Sequence, residues 1–308
     1  MTLITLLLAL TLERFLGYMS DFRDPRYLNA YTKRFIALLD SFGLRQAGFK
    51  LLVIVLPPIL LAGWLQAWLS HVLLGLFSII FGVAVLLYCL GPEDLEEEIN
   101  NYVEAVAVGD EARQRRVAMR LLADRPAEDP MSRARQVALA GFSESNDRLF
   151  TVIFWFVLLG PAAAILYRLL HGLAGWLSDA DESDDKVADE GINNQEDLVR
   201  IASGLAALME WIPARLAALG YAITGSFDHA LVAVRERFWS GPTDLRNNSR
   251  ALLSESGAGA VRLDELLGEE ADAATLSAVF ATVTNHIQRN LIVWMAVLAL
   301  LTLGGWAS

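Results

Sequence analysis

An all-α integral membrane protein is the fold class this sequence predicts, and three observations predict it. Two uncharged runs of 19 residues, Leu51–Leu69 and Val72–Leu90, each have the length that spans a bilayer. The chain of 308 residues is 55% hydrophobic with a mean hydropathy of +0.40, above ordinary soluble usage. No stretch alternates apolar and polar residues convincingly with the period of a strand. Charged residues still make up 20%, so substantial polar segments accompany the spans.

The amino-terminal MTLITLLLALTL is apolar, but no positive region precedes it and no small-residue cleavage site follows. It reads as a retained first helix. Twelve residues rise only about 18 Å against a hydrocarbon core of about 30 Å, so the span is placed at about 1–18, with Glu13 and Arg14 turned to protein or paired. The spans at 51–69 and 72–90 are separated by Ser70-His71 and form a tight hairpin, the first expected to kink at Pro57-Pro58. A fourth span is placed at 291–307. Segment 13–50 carries seven Lys and Arg and segment 91–148 carries eight, whereas Ser70-His71 carries none. Positive loops stay in the cytoplasm, so the Ser70-His71 turn faces out and the amino terminus is periplasmic.

Leu149–Leu177 admits two readings. As a single crossing it would carry everything up to Asn290 outside. Gly160-Pro161 instead divides it into two half-length helices, the second containing Arg168 and His171, and Gly-Pro is a turn signal. A re-entrant or interfacial hairpin over 149–177 is the alternative, with broken backbone tolerated only against protein or a wet cavity. Segment 178–197 has nine acids and one Lys and reads as a solvated tether. Within it, Asp179, Asp181, Ser183, Asp185 and Glu190 mimic calcium-loop spacing, but Asp184 stands where the sharp turn requires Gly. Helical patterning resumes from Leu198 to Trp239, with interruptions expected at Pro213, Gly220 and Gly225. We treat 1–308 as a single membrane domain, its cytoplasmic-side helical region covering 91–290.

Several chemistries are excluded. A net charge of −11 argues against a nucleic-acid partner. No Walker-type loop, HExxH spacing or GxSxG elbow occurs, and the single cysteine, Cys89, can form neither an intrachain disulfide nor a multi-cysteine metal site. No cofactor, metal or catalytic residue is assigned. Two polar clusters remain. In GFSESNDRLF, Glu144, Asp147 and Arg148 share a face if a helix starts by Glu144, with Ser143 or Ser145 as its cap. Either they cap a helix at a membrane boundary, or Glu144 and Asp147 present carboxylates to a pocket. In MEWIPARLAALGYAITG, Arg215 stands four residues after Trp211, as on an interfacial helix, or else faces the pocket of Asp147.

The opening MTLITLLLALTLERF and the later MEWIPARLAALGYAITGSFDHAL resemble the AmpE family, inner-membrane proteins encoded with the amidase that governs β-lactamase induction in Gram-negative bacteria. That family is similar to the CobD/CbiB-like adenosylcobinamide-phosphate synthases. Asp147 keeps the register of those enzymes' first Asp, Glu144 takes an Asn position, and Tyr167-Arg168 matches their Tyr-Lys. His171 and Gly172 replace Asn and Thr, and Ala174-Gly175-Trp176 replaces Asp-Ser-Met, while Trp211 to Arg215 are retained. The resemblance implies a regulator on a degraded synthase scaffold and favours the hairpin. It implies a small-ligand site of Glu144, Asp147, Arg168, His171, Trp211 and Arg215. The alternatives are a residual amide synthase, or a scaffold whose Gly75 and Gly82, seven apart on one helix, admit a partner's transmembrane helix.

Overall fold

The computed structural model describes residues 2–16, 25–43, 46–70, 75–90, 95–122, 125–180, 189–239, 244–268 and 272–304. Every regular element among them is helical, as the apolar periodicity predicts. His71 of the expected turn and residues 181–188 of the acidic tether, with most of its calcium-like spacing, lie outside these residues, whereas the described remainder of the tether is helical rather than an open loop. The described residues fall into two units. Those of 1–92 and 151–209 form the first, and those of 93–150 and 210–306 the second.

The first unit begins with α1 (Thr2–Leu16), α2 (Pro25–Ser41), α3 (Ala47–Ser70) and α4 (Leu76–Cys89). α3 rises about 36 Å over its 24 residues, and among the described residues it is the one helix long and apolar enough to cross a membrane. α4 and Thr2–Glu13 of α1 are apolar but shorter. The four expected spans are thus matched by one helix of full length; those at 72–90 and 291–307 each extend into residues outside the description. Leu56, Leu60, Leu61, Trp64 and Trp68 of α3 are exposed, a broad apolar face that water would penalise. Lys50, in the first turn of α3, is buried and ion-paired to Asp40 of α2.

α3 runs unbroken through Pro57-Pro58. Pro58 has no N–H for the carbonyl of Ile54, and the Tyr31 hydroxyl of α2 donates to that oxygen instead, at 2.9 Å. The same repair recurs further along. In the first unit, α8 (Thr151–Leu159) and α9 (Pro161–Ala180) are parted by Gly160 at φ 83° and pack on each other. α10 (Asp189–Thr224) then contributes its residues up to Met209. Pro213 leaves the Met209 carbonyl without its helical donor, and Trp155 Nε1 of α8 donates to it at 2.9 Å. The helix therefore continues through Pro213 and Gly220, against the sequence expectation, and ends only before Gly225. Neither carbonyl is left as a buried orphan.

The second unit holds α5 (Leu95–Val108), α6 (Glu111–Leu121) and α7 (Pro130–Ser145), followed by a π-helical segment, Asn146–Phe150. It closes with Glu210–Thr224 of α10, α11 (Phe227–Arg237), α12 (Leu245–Val261), α13 (Leu263–Leu267) and α14 (Ala273–Leu303). Leu276, Val279, Phe280, Val283 and Ile287 form a buried stripe on α14 at helical spacing. Beyond Asn290 the helix changes character, and Ile292, Val297, Leu300 and Leu301 are exposed. Phe142, Tyr221 and His286 meet in the core, with Phe142–Tyr221 centroids 5.2 Å apart and Tyr221–His286 5.6 Å apart.

Burial pushes His286 down to about 4, an effect to which the Arg289 charge adds, although a hydrogen bond to the Tyr221 backbone works against it. A folded pKa below the unfolded value of about 6.5 means that the unfolded chain binds the proton first. Stability is therefore complete above pH 6.5 and falls as the pH drops from there towards 4, by on the order of 2 kcal/mol after allowance for partial solvent access. Thermal unfolding in detergent at stepped pH should show this acid limb in the wild type and a shallower one in His286→Gln. Parallel limbs would remove His286 as the cause.

Candidate functional site

The GFSESNDRLF stretch is not a helix start. α7 begins at Pro130, where Asp129 accepts from the Ser132 N–H at 2.7 Å, so the capping belongs fifteen residues upstream. Ser143 and Ser145 do not cap: their hydroxyls donate to the Ala140 and Phe142 carbonyls. Ser145 Oγ also lies 2.7 Å from the Tyr221 hydroxyl. After Ser145 the backbone widens into the π-helical segment, a local change of register that often marks functional sites because it re-aims side chains.

That change of register helps place a charged cluster inside the second unit. Glu144 and Asp147 both face Arg250 of α12, whose Nη2 lies 3.0 Å from Glu144 Oε1 and 3.2 Å from Asp147 Oδ2. Arg148 reaches Glu144 Oε2 at 3.3 Å and Glu98 Oε2 of α5 at 2.9 Å. Glu210 of α10 lies 3.9 Å from Arg246, one turn before Arg250, and carboxylate oxygens of Asp147 and Glu210 come within 4.8 Å of each other. Asp147 is 2% exposed, Glu98 4% and Glu210 1%, so all three are desolvated. The four carboxylates and three guanidiniums leave the cluster formally one charge negative.

Burial works against the charge on Arg250, yet Asp147, Glu144 and Glu210 more than offset it and raise its pKa above the ordinary value. Arg148 is raised in the same way: burial opposes its charge, and Glu144 and Glu98 overcome it. Both guanidiniums are therefore locked on. Asn146 donates to Asp147 Oδ1 at 3.3 Å, while its own buried Oδ1 has no hydrogen-bond partner among the described residues, and neither has the buried Ser249 Oγ beside Arg250. Buried oxygens of this kind call for a water or a ligand donor. The arrangement is suited to gripping a polar ligand between fixed charges of both signs. Its guanidiniums cannot release a proton near neutral pH, so any proton transfer here falls to the carboxylates.

Of the expected ligand residues that lie in the second unit, Glu144 and Asp147 come together, whereas Trp211 and Arg215 pair with each other. Glu144 and Asp147 share Arg250. Arg215 does not join them: its Nε donates to the Phe238 carbonyl at 2.9 Å, its Nη1 to the Trp211 carbonyl at 3.0 Å, and its guanidinium stacks 3.9 Å over the Trp211 ring. Arg215 and Trp211 thus satisfy each other through a cation–π contact, and burial pushes the Arg215 pKa down. Arg168 and His171 belong to the first unit, where Arg168 lines an apolar groove and the His171 ring packs 5.7 Å from Tyr167. Gly75 stands ahead of α4 in a left-handed turn at φ 83°, so it is not on a helix face with Gly82. A Cβ at Gly82 would meet Thr5 of α1 at 2.7 Å, which makes its close approach internal to the chain. Sequence reasoning missed Glu98, Glu210, Arg246 and Arg250. The available signals were the i, i+4 spacing of Arg246 and Arg250 and the lone acid of MEWIPARL.

These features define an all-helical protein that has, among the described residues, one helix long and apolar enough to cross a membrane and a buried carboxylate–arginine cluster. Residues 1–305 match the family model described as regulatory signalling modulator protein AmpE, and the chain belongs to the AmpE family. It is also similar to two proteins named cobalamin biosynthesis protein CobD. The one from Chromobacterium violaceum is 29% identical over 222 residues, 71% of this chain and 64% of that protein's own length. The one from Stutzerimonas stutzeri is 29% identical over 256 residues, 79% of this chain and 78% of that protein. The chain therefore spans somewhat less than two thirds of the first relative. No solved structure matches it.

Proposed function

We infer that this chain is a multi-pass inner-membrane regulator that modulates β-lactamase induction in response to cell-wall stress. It acts by holding a small ligand at the Glu144–Asp147–Arg250 cluster rather than by catalysing a reaction. The observation that carries this reading is the cluster itself: buried carboxylates are held against guanidiniums that stay charged, with one negative charge left over. The family description supports the regulatory role. The bilayer placement is supported by α3 and by the exposed apolar faces of α3 and α14, and the Lys and Arg of 13–50 and 91–148 favour a cytoplasmic cluster and a periplasmic amino terminus.

A residual amide synthase is the second reading, favoured by the names of the two relatives. It is opposed by Ala174, Gly175 and Trp176, which stand where the resembling synthases carry Asp-Ser-Met. The test is complementation of a deletion strain with wild type or Glu144→Gln/Asp147→Asn, with β-lactamase followed after a β-lactam pulse. The double variant, present at wild-type level in the membrane, should lose the modulation. An unchanged induction curve would defeat the cluster as the working site. ATP-dependent amidation of a cobyric-acid-like substrate by the purified protein would replace the regulator with the enzyme.

A further inference from the structure

α10 turns the opposite residues outward from those a helix in water shows. Between Arg200 and Asp228 the exposed residues are Gly204, Leu205, Leu208, Ile212, Leu216, Ile223, Gly225 and Phe227, and none is polar. Leu205, Leu208, Ile212, Leu216 and Ile223 recur at steps of three, four, four and seven, so they form one stripe along the helix, about 27 Å long. The ionisable residues of the same stretch point inward, Glu210 towards Arg246 and Arg215 onto Trp211 and the Phe238 carbonyl. The half-buried hydroxyls are closed off as well: Ser203 donates to the Arg200 carbonyl at 3.0 Å and Thr224 to that of Gly220 at 2.9 Å. A water-facing helix carries its polar residues outward. Polar groups inward and bare aliphatics outward are what hydrocarbon selects.

The two ends of α10 decide how it meets that hydrocarbon. In the first unit α9 runs back along α3. Gly160, ahead of α9, stands beside Gln66 near the carboxyl end of α3, where an added Cβ would come 3.1 Å from the Gln66 Oε1. Leu169, Leu170 and Leu173 cluster with Leu51, Ile54 and Val55 near its amino end, and Leu198, Ala202 and Ala206 of α10 join the same cluster. α10 therefore starts on the side of segment 13–50. In the second unit it leads through α11 into α12, which packs on α7 of segment 91–148. Both segments are the Lys- and Arg-bearing ones that the bilayer reading assigns to the cytoplasm. A helix with both ends on one side does not cross.

We propose that α10 lies along the cytoplasmic surface of the bilayer, with the stripe from Leu205 to Ile223 sunk among the acyl chains beneath the headgroups. Lipid fits the stripe better than a protein partner does, because it holds only Leu and Ile and lacks the aromatic and arginine anchors of protein interfaces. The proposal rests on the bilayer reading above, but not on ligand binding at the ion-pair cluster.

Spin labels on the full-length protein in phosphatidylethanolamine–phosphatidylglycerol vesicles provide the test. Cys89 is buried and inert to the label, so it stays in place, with unsubstituted protein as the blank. Labels enter one at a time through Leu205→Cys, Leu208→Cys, Ile212→Cys, Leu216→Cys and Ile223→Cys, all at exposed positions. Leu60→Cys on the exposed face of α3 and Glu236→Cys on α11 serve as references for lipid and water. At all five stripe positions collisions with oxygen should exceed those with a water-soluble nickel chelate, at a near-constant depth of about 5–10 Å. Nickel-dominated collisions on the stripe, with oxygen still dominant at Leu60→Cys, would overturn the proposal and leave the bilayer reading intact. Nickel dominance at Leu60→Cys as well would defeat the bilayer reading and the proposal with it. A depth that rises to a maximum midway along the stripe would overturn the surface placement in favour of a crossing helix. Poor access to both reagents with spin–spin broadening would overturn lipid contact in favour of a second copy of the chain.

Discussion

Replacing Arg250 with methionine is expected to destabilise the protein by about 3–5 kcal/mol, the usual cost of removing one partner from a buried ion pair. Arg250 meets an oxygen of Glu144 and an oxygen of Asp147, and Glu210, whose charge also acts on it, is fully buried. Without it, Glu144, Asp147 and Glu210 lose a guanidinium that stabilises all three in a dry pocket. At neutral pH the mutant should therefore unfold at a clearly lower temperature in detergent. Adding Glu144→Gln and Asp147→Asn to Arg250→Met should recover most of the loss, because the uncompensated charges go with their counter-ion. Arg250→Lys keeps the charge and should lose less than methionine does. An Arg250→Met protein with the wild-type unfolding midpoint would mean that the cluster is not desolvated as described.

The regular structure was readable where composition alone decides it. The apolar runs of α3 and α4 announce themselves, because no other arrangement hides so many Leu, Val and Ile side chains from water. The break at Gly160-Pro161 was readable too, because left-handed backbone followed by a residue without an N–H leaves few conformations. Continuity through Pro58 and Pro213 was not readable. Each depends on a side chain far along the chain, Tyr31 for the Ile54 carbonyl and Trp155 for that of Met209, and a local pattern holds no record of such a donor.

The site was half legible for a similar reason. Glu144 and Asp147 stand out as acids directly ahead of an apolar run. Arg250 sits in LRNNSRALLSESGAGAV, whose polar residues are spread around the helix, so nothing in that stretch says which face turns inward. Burial of Arg250 is decided by the acids it meets, 103 and 106 residues earlier. Arg215 erred in the opposite direction. Its place beside a retained Trp suggested a ligand role, yet Trp211 and two backbone carbonyls consume it.

Gly257→Ala should destabilise the second unit by about 2–3 kcal/mol, although alanine is the better helix former by about 1 kcal/mol. The sign is decided by Phe142. A Cβ on Gly257 of α12 would lie 2.3 Å from the Phe142 ring carbon Cγ, well inside van der Waals contact. Cγ is the fixed end of that side chain, and the ring is fully buried against Tyr221 and His286, so it cannot swing clear. α7 and α12 would have to separate, which would loosen the register that sets Glu144 against Arg250. Gly204→Ala in the first unit provides the contrast: nothing lies within 4 Å of its added Cβ, and there the helix propensity should prevail and stabilise slightly. Unfolding midpoints of the two variants should therefore move in opposite directions. If both rise, the contact of α12 with Phe142 is looser than this geometry requires. If Phe142→Leu then relieves Gly257→Ala, the clash is the cause.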